Sequence, residues 1–252
     1  MNQFELNKQI EQFILKKDKT SKSYSTEDKK FIASYTGSGG QGSKGATGEG
    51  ILYEFFTPDY ICELMWELAY RFGFKASGTV LEPSCATGNL LANAPDKSKC
   101  YGFEINPTSR RIAQILYPEA KIYNGYFETA FLQEPRFTQR LKDKPTWLDG
   151  YPFSLVIGNP PYGKYKNKYS SYFTKPKMHQ IELFFMYYGL QLLKPGGLMV
   201  YLTGSNFLRT GITYQTEKAE LEKVCYILDA YRLPPVFKFS QVPTDIIVLK
   251  RK

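Results

Sequence analysis

The stretch Phe153-Ser154-Leu155-Val156-Ile157-Gly158-Asn159-Pro160-Pro161-Tyr162 constrains this chain more than any other. An apolar run with β-branched Val156 and Ile157 has the character of a buried strand, and Gly158 ends it. Two prolines stop the strand, because neither has an N–H to give a sheet, and they stiffen the turn that follows. An amide, Asn159, and an aromatic ring, Tyr162, are thereby left at the strand's carboxyl end. Open α/β sheets place their ligand sites there.

The flanking sequence supplies further strands and helices. Residues 79–91, Thr-Val-Leu-Glu-Pro-Ser-Cys-Ala-Thr-Gly-Asn-Leu-Leu, read as strand, tight turn and helix. A second strand, Cys100 to Asn106, leads into a helix from Pro107 to Leu116, and a third strand lies within Ala120 to Phe127. Glu104 ends the second strand, where nucleoside-binding α/β folds carry the acidic residue that clamps a ribose, and Ile105 is placed to pack on an adenine ring. Further on, a helix from Gln180 to Leu193 is stopped by Lys194-Pro195-Gly196-Gly197, and Leu198 to Thr203 follow as a strand. Thr216 to Val224 read as a helix. Tyr226 to Tyr231 and Thr244 to Leu249 form two last strands, paired antiparallel.

Composition narrows the chemistry. The net charge of +9 favours a polyanionic partner. Four scattered cysteines without a C-x-x-C read as reduced and buried, so neither a zinc site nor a disulfide framework is expected. The single histidine, His179, argues against a His-based metal site or a Ser-His-Asp triad. No signal peptide or membrane span is legible, and a cytoplasmic location is expected. Residues 1 to about 35 are polar and lysine-rich, with Phe4, Ile10, Phe13, Ile14 and Leu15 at spacing that predicts a short amphipathic helix followed by a loose segment. The glycine-rich run from 36 to 50 reads as a linker, with a lid over a cofactor as the sharper alternative.

Asn159-Pro160-Pro161-Tyr162 resembles the catalytic motif of S-adenosylmethionine-dependent methyltransferases that act on amino or amide nitrogens. The motif order is similar to that of the gamma-class N6-adenine DNA methyltransferases of restriction-modification systems and mobile elements. Glu82-Pro83-Ser84-Cys85-Ala86-Thr87-Gly88 resembles their glycine-rich cofactor loop, with Ala86 where the family usually has glycine. Phe56-Thr57-Pro58 resembles the segment whose threonine helps hold the cofactor's carboxylate; Thr57 is read as an N-cap with Pro58 at the first helical position. In Tyr126-Phe127 a tyrosine replaces the family's aspartate, while Phe127 is retained to stack on the cofactor. Leu233 to Val242 resembles the segment whose aromatic faces the motif tyrosine across a flipped base; Phe237 is the first choice and Phe239 the second.

The resemblance implies a doubly wound α/β sheet of seven strands, mostly parallel with one antiparallel strand. Residues 51–252 would form the catalytic domain and 1–50 a polar N-terminal segment, with no target-recognition domain. The cofactor would lie against Thr57, Glu82, Pro83, Ser84, Cys85, Gly88, Glu104, Ile105, Phe127 and Asn159. Adenine flipped from duplex DNA would stack between Tyr162 and Phe237, with its amino group held by Asn159 and Pro160 ahead of Pro161. Lys164 and Lys166 open a loop, 163–177, that interleaves basic and aromatic side chains and suits phosphate contact with base stacking. A target-recognition domain or subunit outside this chain is an expected partner. The alternatives are a protein-glutamine methyltransferase, a non-catalytic DNA-binding subunit with a degenerate cofactor site, and, more weakly, an RNA methyltransferase.

Overall fold

The computed structural model describes residues 2–20, 23–36, 55–132, 147–205, 207–208, 214–237 and 243–252. The glycine-rich run expected as a linker or lid therefore lies outside the described residues, apart from residue 36, and so does Phe239.

The strands are β1 (Val80–Glu82), β2 (Cys100–Glu104), β3 (Lys121–Asn124), β4 (Phe153–Gly158), β5 (Leu193–Gly204), β6 (Cys225–Leu233) and β7 (Thr244–Arg251). They form one sheet in the order β3-β2-β1-β4-β5-β7-β6. All pairs are parallel except those of β7, which runs antiparallel to both neighbours. This is the expected sheet, with β7 as its one reversed strand. The apolar runs in the central strands follow from burial on both faces. Leu81, Val156, Met199 and Tyr201 face one core, and Val80, Leu155, Ile157, Val200 and Leu202 face the other.

The first core is closed by α6 (Trp147–Gly150) and α7 (Ile181–Leu192), and the second by α3 (Asp59–Arg71) and α4 (Asn89–Ala92). Helix α5 (Pro107–Leu116) starts with Asn106 as its N-cap, accepting from the backbone N–H groups of Thr108 and Ser109, and with proline at the first position. Helix α8 (Gln215–Val224) leads into edge strand β6. From β1 the chain winds outward through β2 to β3, then returns to lay β4 on the other side of β1 in the register Val80↔Leu155, Leu81↔Val156. The reversal opens a crevice at the carboxyl ends of β1 and β4, between Glu82 and Asn159.

Three details correct the sequence reading. Pro58, not Thr57, is the N-cap of α3, and no side chain caps that end; Thr57 is buried beneath it. The segment after the first helix is not loose. It contains a second helix, α2 (Thr26–Ala33), which with α1 (Gln3–Asp18) forms a hairpin. Both start on complete capping boxes, Asn2 with Glu5 and Ser25 with Asp28. Ile10, Ile14, Ile32 and Tyr35 of this hairpin pack on Ile112 and Ile115 of α5. Strand β5 also begins at Leu193, earlier than Leu198, because Leu193 pairs with Phe153 across an irregular register.

Candidate active site

The crevice widens into a cavity of about 500 Å³. Its floor is the turn after β1. Glu82, Pro83, Ser84 and Cys85 all line it, and the turn is tied to β2 because Glu104 accepts from the Ala86 N–H at 2.8 Å. Glu104 also accepts from the Asn106 N–H at 2.6 Å, which places the carboxylate at the cavity wall with Ile105 beside it. Ile105 is 40% exposed and so presents an apolar face to the cavity.

Glu82 is 3% exposed, and its Oε2 has no hydrogen-bond partner among the described residues. Burial first, and the Glu104 charge second, raise its carboxyl well above the usual range. Burial and the same two carboxylates push the Cys85 thiol up, so it is not a ready nucleophile.

Ala86 lies at φ +45°, in the left-handed region that a glycine adopts freely. Its departure from the glycine usual at this position is therefore strained. Gly88 does not line the cavity. At φ +86° it is the N-cap of α4 and donates to the Cys85 carbonyl at 2.7 Å, and an added Cβ would meet Tyr117 at 2.8 Å. Its part is to close the turn.

The opposite wall is the Asn159-Pro160-Pro161-Tyr162 turn, with Lys164 and Lys166 above it. Two hydrogen bonds orient the Asn159 amide. Its Nδ2 donates to the Phe55 carbonyl at 2.9 Å, and its Oδ1 accepts from the Tyr162 hydroxyl at 2.7 Å. The Ser84 hydroxyl donates to the Asn159 carbonyl at 3.3 Å and so joins this turn to the turn after β1. Burial, then Glu182, push the Tyr162 hydroxyl far up, so it stays protonated. Phe237 is buried outside the cavity lining and stacks on Phe55, ring centroids 4.9 Å apart; Phe55 lies 6.4 Å from Tyr162.

Phe127 lines the cavity but is 1% exposed and wedged among Phe103, Phe131 and Phe185. Cavity residues that escaped the sequence reading include Phe55, Glu128 and Asn167. Glu128, 1% exposed, accepts from the Asn167 side-chain amide. Its adjacency to Phe127 was the available signal. The loop 163–177 also differs from its expected form. Tyr169 and Phe173 are buried, and Tyr165 stacks on Phe184 at 4.1 Å, so these rings build the core and do not await bases. Lys164 and Lys166 remain outside, with Tyr172 51% exposed.

The cofactor implied by this fold is S-adenosylmethionine. The residues fit it: an unpartnered buried carboxylate oxygen at Glu82 and the neighbouring Glu104 favour a cationic ligand, and Ile105 offers a flat apolar surface.

The family model for the Eco57I restriction-modification methylase matches residues 98–237. The chain is 29% identical over 230 residues to the defense against restriction protein B of Escherichia phage P1, covering 90% of this chain and 9% of that protein. It is 30% identical over 151 residues to the type II restriction enzyme and methyltransferase RM.BcgI of Heyndrickxia coagulans, covering 56% and 22%. The chain spans 9%, 24% and 22% of the length of three curated relatives it matches. In fold it is similar to DrdV in its DNA complex, with a TM-score of 0.65 at 16% identity over 89% of this chain and 29% of that one. It is also similar to a type I restriction-modification methyltransferase subunit of Streptococcus thermophilus, with a TM-score of 0.60 at 22% identity over 79% and 45%. The family match runs from the start of β2, through the Asn-Pro-Pro-Tyr turn, to Phe237, and so takes in both walls of the cavity: the chain belongs to the Eco57I restriction-modification methylase family.

Proposed function

We propose that this chain transfers the methyl group of S-adenosylmethionine to the N6 amino group of an adenine flipped out of duplex DNA. The observation that carries this reading is the Asn159 amide. Two hydrogen bonds hold it on the same cavity that the buried Glu82 and Glu104 line.

When bound, S-adenosylmethionine supplies a methyl group made electrophilic by its sulfonium sulfur. Glu82 and Glu104 would hold that cationic ligand, and Ile105 would offer its base an apolar contact. Adenine's amino nitrogen is a weak nucleophile because its lone pair is delocalised into the ring. Asn159 Oδ1 and the Pro160 carbonyl accept its two N–H bonds, which favours a pyramidal nitrogen with a localised lone pair. Both acceptors are neutral and fixed by a proline-stiffened turn, so they need no reorganisation at the moment of reaction. The proton lost from nitrogen passes from these acceptors to water. Tyr162 and Phe237 flank the base, and Lys164 and Lys166 meet the phosphates beside it.

In this reading residues 51–252 are the catalytic domain and residues 1–50 an appended segment. Asn159→Ala removes one of two acceptors. It is expected to lower the rate of methyl transfer about 10²-fold or more while the fold is retained. Transfer at the wild-type rate by this variant contradicts the assignment.

A further inference from the structure

The two rings assigned to the base, Tyr162 and Phe237, already share an occupant. Phe55 stacks on Phe237 with ring planes 28° apart and centroids 4.9 Å apart, and it also touches Tyr162. The acceptor assigned to the amino group is likewise engaged, because Asn159 Oδ1 takes the Tyr162 hydroxyl at 2.7 Å. The other end of the same amide donates to the backbone carbonyl of Phe55 itself. The adjacent Phe56 also lines the cavity, but it packs on the N-terminal hairpin, 6.2 Å from the Tyr35 ring. Both rings thus line the cavity, Phe56 held against the N-terminal hairpin and Phe55 against Phe237 and Tyr162.

We propose that Phe55 is a gate residue: its ring fills the target-base cleft in the DNA-free protein, stacked on Phe237 and against Tyr162, and turns out when a flipped base enters. The proposal rests on the base-flipping reading above. An entering adenine exchanges one aromatic stack for another on Phe237. The Tyr162 hydroxyl releases Asn159 Oδ1 to the amino group. Stack for stack the exchange is nearly balanced, so the base alone does not open the cleft, and contacts elsewhere along the DNA must tip it. The gate thereby makes the site reject free adenine derivatives that present the same ring without a phosphate backbone. A gated site binds more weakly by the fraction of time it stands open.

The full chain tests this with two variants and a flanking pair. Phe55→Ala is expected to bind free 9-methyladenine about tenfold or more tighter than wild type, and adding Phe237→Ala removes the gain. Phe55→Trp places a reporter in the cleft, and Trp66 and Trp147, both 2% exposed, add a constant emission that DNA does not reach. Its emission is expected to shift to the red when mixed-sequence duplex DNA is methylated. The gate is overturned if Phe55→Ala lowers kcat/KM for DNA as far as Tyr162→Ala does. Phe55 is then a fixed wall of the base site. It is overturned equally if the emission of the Phe55→Trp variant stays unchanged during turnover. The reading beneath it fails separately, and the gate with it, if Tyr162→Ala and Phe237→Ala both methylate DNA at the wild-type rate.

Discussion

At the residue scale, the cavity floor shows stability set against binding. Ala86 holds a left-handed backbone that a side chain resists by about 1–2 kcal/mol. Ala86→Gly is therefore expected to stabilise the protein by roughly 1 kcal/mol, since glycine's greater unfolded-state freedom returns part of the gain. Urea unfolding at constant m-value measures it. Glu82 presents the converse case. Its folded pKa is raised by burial and by Glu104, so it weakens the fold once pH exceeds the unfolded carboxylate value. The penalty grows until pH reaches the raised folded value. Glu82→Gln is accordingly expected to raise the melting temperature more at pH 8 than at pH 4, and to weaken S-adenosylmethionine binding in calorimetry. A larger gain at pH 4 contradicts the assignment of Glu82 as a strained cofactor ligand.

At the element scale, strands and helices with strong local signals stood in the sequence close to their observed bounds. Pro107 to Leu116 is such a case, with Asn106 before it and proline at its first position. What was not legible depended on tertiary partners. Helix α2 has few apolar residues and is held by Ile32 against α5, a contact no local pattern reveals. Tyr165, Tyr169 and Phe173 sit among lysines and read as nucleic-acid contacts, yet α7 offers Tyr165 and Phe173 an aromatic surface, and Tyr169 buries against Tyr126. Ile32→Ala is expected to cost about 2–4 kcal/mol, measurable as undocking of the hairpin by hydrogen exchange. Arg111 also grips Asp18 through two hydrogen bonds, which lower the Asp18 pKa. That support exists above the ordinary carboxylate range and fades as pH falls through the lowered value. Because the pair is substantially exposed, Asp18→Asn is expected to cost less than about 1 kcal/mol at pH 7.

At the scale of the whole molecule, the sheet order dictates where the chemistry is found. The reversal between β1 and β4 brings two distant stretches, Glu82 to Cys85 and Asn159 to Tyr162, to one crevice. Both stretches were visible as motifs, whereas Phe55 became visible only when the crevice was formed. With a net charge of +9 and exposed Lys164 and Lys166 at the crevice rim, DNA affinity is expected to fall with salt. Lys164→Ala with Lys166→Ala is expected to reduce the slope of log K against log salt by roughly 2, one unit for each lost phosphate contact. The central claim is that an amide, not a charged base, activates an adenine amino group for methylation. Incubation with isotope-labelled S-adenosylmethionine and a panel of duplex DNA, single-stranded DNA, RNA and protein tests it most directly, with products identified by mass spectrometry. Label is expected in N6-methyladenine of duplex DNA, and its yield is expected to collapse in Asn159→Ala; label in glutamine of the protein sample, or N6-methyladenine made equally by Asn159→Ala, contradicts it.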